Sequence, residues 1–137
     1  MKHLFIIIAM LAFACGLKAQ DTDSTMFKGS FTNSEFKLNC FINLYNKVVP
    51  VPGAESEECY GYINGNTNGL WAILRVKEMK DGKAVVRAVS ERGEDAQTLE
   101  IKSTDNGITI RQIDGANIKG VANSKYVKLP KLIELNK

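Results

Sequence analysis

Histidine is almost absent from this chain. Its 137 residues include one, His3, in a segment expected to be removed on export, so the remaining domain should carry none. That excludes Ser-His-Asp and Cys-His catalysis, and histidine as a general base. Cysteine is scarce too, with three in all. Cys15 falls in the same leading segment, which leaves Cys40 and Cys59. An even pair in an oxidising compartment reads as a disulfide, which would stabilise the fold by about 3 kcal/mol in the chain-entropy model. Once bonded, the pair offers no thiolate for nucleophilic or zinc chemistry.

Other absences narrow the choice further. There is one tryptophan, Trp71, and aromatic residues make up 8% of the chain, which is sparse for a sugar-stacking enzyme cleft. The glycines stand singly, without a phosphate-binding loop or dinucleotide fingerprint, so no cofactor is expected. The spaced Asp/Asn/Gly pattern of a calcium loop is missing as well. There are 18 Lys and Arg against 15 Asp and Glu, and Lys2 and Lys18 lie in the leading segment, so the domain is near neutral. Its basic residues are interleaved with acids, unlike the one-sided face of a nucleic-acid binder.

What is present begins with an export signal. Met1-Lys2-His3 is a short basic start, and Leu4 to Ala14 is apolar. At about eleven residues this run is too short to span a bilayer, which takes roughly 20. Small Ala19 suits the position before a cut at Gln20. Residues 1–19 are therefore expected to be a signal peptide, 20–25 a flexible lead and 26–137 a single β domain, located in the periplasm or outside the cell. The alternative is a lipid anchor at Cys15, since Leu11-Ala12-Phe13-Ala14-Cys15 resembles a lipobox with Ala12 in a place that usually holds Leu.

The body of the chain has period two. Phe36, Leu38, Cys40, Ile42 and Leu44 alternate with Lys37, Asn39, Phe41, Asn43 and Tyr45, which marks a strand with one apolar face. Further strands are expected at Met26–Thr32, Cys59–Ile63, Leu70–Glu78, Lys83–Glu91, Gln97–Ser103, Ile108–Ile113, Asn117–Val121, Tyr126–Leu129 and Leu132–Leu135. Asp81-Gly82, Asn106-Gly107 and Asp114-Gly115 have the chemistry of tight hairpin turns, and Ala54–Cys59 has room for one turn of helix. The fold class is thus all-β, an antiparallel meander of about eight to ten short strands closing into a small barrel or half-barrel, with a β-sandwich as the alternative. Ala72, Ala84, Ala88 and Gly120 would let strands approach closely on the inside of a barrel.

Gly29-Ser30-Phe31 resembles the Gly-x-Trp that opens lipocalin and avidin-type barrels, with Phe31 in place of the Trp. The resemblance covers three residues and implies a calycin-type barrel able to hold a ligand. In size and style the chain also resembles exported bacterial inhibitors and immunity proteins.

Three features suggest function. Glu55, Glu57 and Glu58 form an acidic segment next to Cys59, suited to meeting a cationic cleft on a protein partner. Asn64 to Gly69 is a hydrogen-bonding loop flanked by rings, which makes Tyr60, Tyr62, Asn66, Asn68 and Trp71 candidate contacts for a glycan or small apolar ligand. Trp71 begins a face that turns polar at Arg75 and Lys77, which puts the ring near the surface. Glu55, Glu58, Glu91 and Glu94 are the carboxylates available to a hydrolase needing a facing pair. The leading expectation is an exported, non-enzymatic domain that binds another exported or envelope protein as an inhibitor or immunity-type partner. A glycan or small-ligand barrel is the alternative, and a carboxylate-dependent hydrolase the third.

Overall fold

The computed structural model describes residues 26–91 and 93–137, apart from the side chain of Glu55. The expected signal peptide, its cleavage site, Cys15 and the flexible lead lie outside the described residues. Twelve strands follow one another: β1 (Lys28–Asn33), β2 (Leu38–Asn43), β3 (Val49–Val51), β4 (Ala54–Cys59), β5 (Gly61–Gly65), β6 (Trp71–Lys80), β7 (Lys83–Ser90), β8 (Ala96–Ser103), β9 (Gly107–Gly115), β10 (Lys119–Ala122), β11 (Lys125–Lys128) and β12 (Leu132–Asn136). Among the described residues there is no helix. The segment 54–59, given room for a helical turn, is strand β4, because its partner β3 supplies cross-strand pairing at Val49–Cys59 and Pro50–Glu58.

Eight strands close into an antiparallel barrel in the order β1-β2-β5-β6-β7-β8-β9-β12, consistent with a calycin-like form. Closure removes the free sheet edges that an open meander would expose. The last seam is narrow. Thr32 pairs with Asn136, and the Asn33 side-chain amide donates to the Glu134 carbonyl at 2.8 Å. Two hairpins interrupt the meander. β3–β4 leaves after β2 and folds back on the outer wall, and β10–β11 leaves after β9 at the other end of the strands.

The inward row of every barrel strand meets in one interior. Phe31, Leu38, Cys40, Ile42, Ile63, Trp71, Ile73, Val86, Leu99, Ile101, Ile108, Ile110, Ile133 and Leu135 fill it, with Ala84 and Ala88 providing room beside the larger groups. Ala72 and Gly120, grouped with those alanines in the sequence reading, lie elsewhere. Ala72 packs on the outer wall with Val49, Cys59 and Leu70, and Gly120 sits in β10. Side-chain filling is the usual state of a barrel of this strand number.

Period two does not persist along β6, and a pair of bulges explains why. Ile73 pairs with Ala88 but Arg75 pairs with Arg87, so Leu74 is an extra residue, and a second shift falls between Val76 and Glu78. Each bulge reverses which face a side chain takes. Trp71 and Ile73 therefore point inward, and Arg75 still reaches solvent. The expectation of a near-surface Trp71 is corrected: its side chain is fully buried. Of the three expected turn pairs, Asp81-Gly82 forms a two-residue hairpin turn, with φ of 54° and 74°. Asn106-Gly107 lies where β8 turns into β9, whereas Asp114 and Gly115 remain paired with Thr98 and Gln97 in the sheet.

The expected Cys40–Cys59 disulfide is absent, and both thiols are free and buried. They lie on opposite sides of the barrel wall. Cys40 faces the interior, while Cys59 packs outside, its thiol directed to the carbonyls of Gly61 at 3.2 Å and Val49 at 3.4 Å. A bridge needs both sulfurs on one side with Cβ atoms about 4 Å apart. The chain leaves the barrel after β2 and returns to it from the outer layer just beyond Cys59, at Gly61. A side chain there would run into the backbone of Phe41 and Ile42 at 2.5 to 2.8 Å, and its φ is 156°.

Burial raises the Cys40 thiol from 9.0 to about 12. The folded state then keeps a proton that the unfolded chain gives up. Stability from this group is therefore complete below the ordinary thiol value and declines as pH climbs towards the folded one, by up to about 1.4 kcal/mol per pH unit. Urea midpoints measured from about pH 8 to about pH 11 should fall more steeply for the unsubstituted chain than for Cys40→Ala. Equal slopes would contradict this placement of the thiol.

Candidate functional site

With its interior filled, the molecule has hollows on its outer surface, beside the two hairpins and at the β6–β7 turn. The outer site is built where β3–β4 folds back over the wall. Val49 and Cys59 pack against Leu70 and Ala72, with Val51 and Tyr62 alongside. This contact holds the hairpin beside β6 and leaves a groove of about 430 Å³ between them. Leu70, Ala72, Leu74 and Val89 contribute to its apolar lining, the hairpin turn Val51–Ala54 forms another side, and Glu57 and Glu91 flank it.

The bulge at Leu74 shapes this surface. The extra residue stays on the outside, 43% exposed, next to the groove. Two acids far apart in the chain, Glu57 of β4 and Glu91 of the β7–β8 turn, thus border one apolar strip. Glu58 is exposed on the same strand. Glu55 shares the β4 backbone, but its side chain lies outside the described residues. Glu91 also borders a second hollow of about 310 Å³, with Glu94, Asp95, Lys119 and Tyr126. Among the described residues no cluster of carboxylate, cysteine and histidine groups is arranged to hold a metal ion.

The residues grouped as ligand contacts are not gathered into one patch. Tyr60 packs against the barrel core. Tyr62 lies on the outer wall, edge-to-face with Phe41 at 6.0 Å and 89°. Asn66 is a backbone bracket, its N–H donating to the Lys37 carbonyl and its carbonyl accepting from the Val121 N–H, both at 3.0 Å.

Asn68 and Trp71 instead close the barrel end. The Asn68 side-chain oxygen accepts from the Trp71 indole N–H and from the Lys119 backbone N–H, both at 3.1 Å. The Asn68 backbone N–H donates to the Lys119 carbonyl at 2.9 Å, and Thr67 bridges to Gly120. One asparagine thereby satisfies the only indole donor and fastens the β10–β11 hairpin over the opening. Ile118 and Leu129, at the two roots of that hairpin, are buried in the core.

A second polar cluster went unnoticed in the sequence. Gln97, 1% exposed, accepts from the Asp114 N–H at 2.8 Å and donates to the Ala116 carbonyl at 3.0 Å. Gln112 accepts from the Ile118 N–H at 2.7 Å. These amides satisfy backbone groups where β9 leaves the sheet towards β10. The available sequence signal was a glutamine on the inward row of each strand, since a buried amide needs partners that a regular ladder does not supply.

No protein-family model, curated protein or solved structure matches this chain.

Replacing Asn68 with Ala should leave the buried Trp71 indole N–H without its acceptor and release the exposed Lys119 N–H to water, at a cost of about 1–3 kcal/mol. Asn68→Asp keeps an acceptor oxygen and should lose less. Urea unfolding followed by Trp71 fluorescence measures both, and equal stability of Asn68→Ala and the unsubstituted chain would show that the clasp contributes nothing.

Proposed function

We propose that this protein is an exported, non-enzymatic binding domain that recognises a cationic surface on another exported or envelope protein, as an inhibitor or immunity-type partner does. The observation that carries the reading is the groove beside β3–β4, an apolar strip bordered by Glu57 and Glu91 and backed by a packed barrel. An apolar centre supplies contact area, and acids at its margin steer a basic partner and fix its orientation. The hairpin is preorganised by its packing on the wall, which lowers the ordering cost of association.

Support also comes from the interior. Its side-chain filling directs recognition to outer surfaces. A second reading, a glycan binder, rests on the Phe41–Tyr62 ring pair, with Asn39 and Asn64 paired two positions along on the same face. The hydrolase reading has weaker support: Glu91 and Glu94 border one hollow, but Glu58 lies on β4, in the hairpin.

One experiment separates these readings. Immobilised domain is exposed to secreted and envelope protein fractions and to a glycan array, beside the variants Glu57→Lys/Glu58→Lys/Glu91→Lys and Tyr62→Ala. A salt-sensitive protein partner should be retained by the unsubstituted domain and weakened at least about tenfold by the triple reversal, with the thermal midpoint nearly unchanged. Binding that survives the reversal would remove the groove from the account. Glycan retention lost in Tyr62→Ala would transfer the function to the outer wall.

A further inference from the structure

We propose that the outer edge of β11 is a second docking site, taking an extended, carboxylate-bearing segment of a partner protein as a third strand of the β10–β11 sheet. The argument starts at the turn. Asn123 and Ser124 have φ of 52° and 64°, the two positive values of a two-residue hairpin turn. Ala122 and Lys125 are then a hydrogen-bonded pair, as are Gly120 and Val127, in the register the strands adopt. Hydrogen-bonded and non-bonded pairs alternate in an antiparallel ladder. Val121 and Lys119 on one strand, and Tyr126 and Lys128 on the other, therefore direct their backbone groups away from the hairpin.

On β10 that rule is met. The Val121 N–H reaches the Asn66 carbonyl at 3.0 Å, and the Lys119 carbonyl accepts from the Asn68 N–H at 2.9 Å. On β11 the equivalent groups of Tyr126 and Lys128 find no strand and no loop partner among the described residues. All four β11 residues are exposed, Tyr126 at 67%. Free edges in native proteins are usually blunted by proline, bulges or charge. The other hairpin carries Pro50 within β3, whereas β11 has only its lysines.

Those lysines specify the occupant. Lys119, Lys125, Lys128 and Lys131 lie between Gly115 and Ile133 without an acid among them, and the only ion pair among the described residues is Lys102–Glu100, elsewhere. Lys119 and Tyr126 border the hollow that holds Glu91, Glu94 and Asp95, but Lys125, Lys128 and Lys131 do not. An added strand with carboxylates at alternate positions sets them on one face, against Lys128 and its cross-strand neighbour Lys119, and its backbone satisfies the outward groups of Tyr126 and Lys128. Pairing β11 with β11 of a second copy would instead bring two strands of the same positive charge side by side. This site uses none of the groove residues and stands independently of the function proposed above.

The test is a titration of the full chain, 15N-labelled, with a capped peptide alternating glutamate with valine and threonine, and with its lysine counterpart. Saturable shifts at the Tyr126 and Lys128 amides are expected for the glutamate peptide. Tyr126→Pro deletes an outward N–H without touching a bond to β10, and it should weaken binding at least about tenfold. Lys125→Glu/Lys128→Glu, which leaves the backbone unchanged, should do the same. No saturable shift at those amides by about 1 mM peptide, equal binding of the lysine peptide, or binding unchanged in both variants would overturn the proposal. Concentration-dependent dimers abolished by Tyr126→Pro would overturn it too, by assigning the edge to a second copy. None of these results bears on Glu57 or Glu91, so failure here is distinguishable from failure of the groove.

Discussion

Closing eight strands into one ring makes every inward side chain share a single interior, and the rest of the molecule answers to that constraint. The large indole on β6 shares this interior with small side chains of the neighbouring strand β7, Ala88 standing opposite Ile73 just below it. The indole brings one polar hydrogen inside, and a buried donor must find an acceptor. Asn68 provides it and uses the same oxygen to hold Lys119. Core composition at the top of β6 thus determines where the β10–β11 hairpin is fastened. The roots of that hairpin, Ile118 and Leu129, return the favour by covering the barrel end.

Filling the interior also has a functional consequence. With side chains occupying the space where a hollow barrel would hold its ligand, the binding proposed for this protein falls to what projects from the wall. The two hairpins differ in character. β3–β4 carries Glu57 and Glu58 and leans on an apolar strip. β10–β11 is lysine-bearing and presents a backbone edge that is unpaired among the described residues. In the proposals above, one hairpin meets basic surfaces and the other acidic strands, on a frame whose packing keeps both in place.

Much of the fold could be read in the chain because alternation and turn chemistry are local. The apolar rows of β2, β7 and β12, and the Asp81-Gly82 turn, emerge at nearly their observed positions. The Asn123-Ser124 turn was missed, since serine is not a usual carrier of positive φ. What sequence could not disclose was each change of face. The Leu74 bulge swaps the sides of β6, so simple alternation placed Trp71 outside. The crossing at Gly61 moves the chain from outer layer to barrel, which puts Cys40 and Cys59 on opposite sides of a wall that cysteine counting cannot see. Of the candidate site, the acids of β4 were recognisable as a cluster of like charge. Their neighbour Glu91 was not recognisable as such, because only the fold brings the β7–β8 turn beside the hairpin. Asn68 and Trp71 were noticed for the right chemistry, a hydrogen-bonding amide beside a ring, but that chemistry is used to close the barrel.

The central claim is a closed, filled barrel with recognition confined to the hairpins, and residue-resolved amide hydrogen exchange on the full chain tests it most directly. The account predicts slow exchange for the paired amides of β1 and β12 at the seam, comparable with β7 and β8. Along β11 it predicts alternation, with Lys125 and Val127 protected and Tyr126 and Lys128 exchanging rapidly. Fast exchange of the β1 and β12 amides directed across the seam, with those paired to β2 and β9 still protected, would mean an open half-barrel with an accessible interior and would contradict the account.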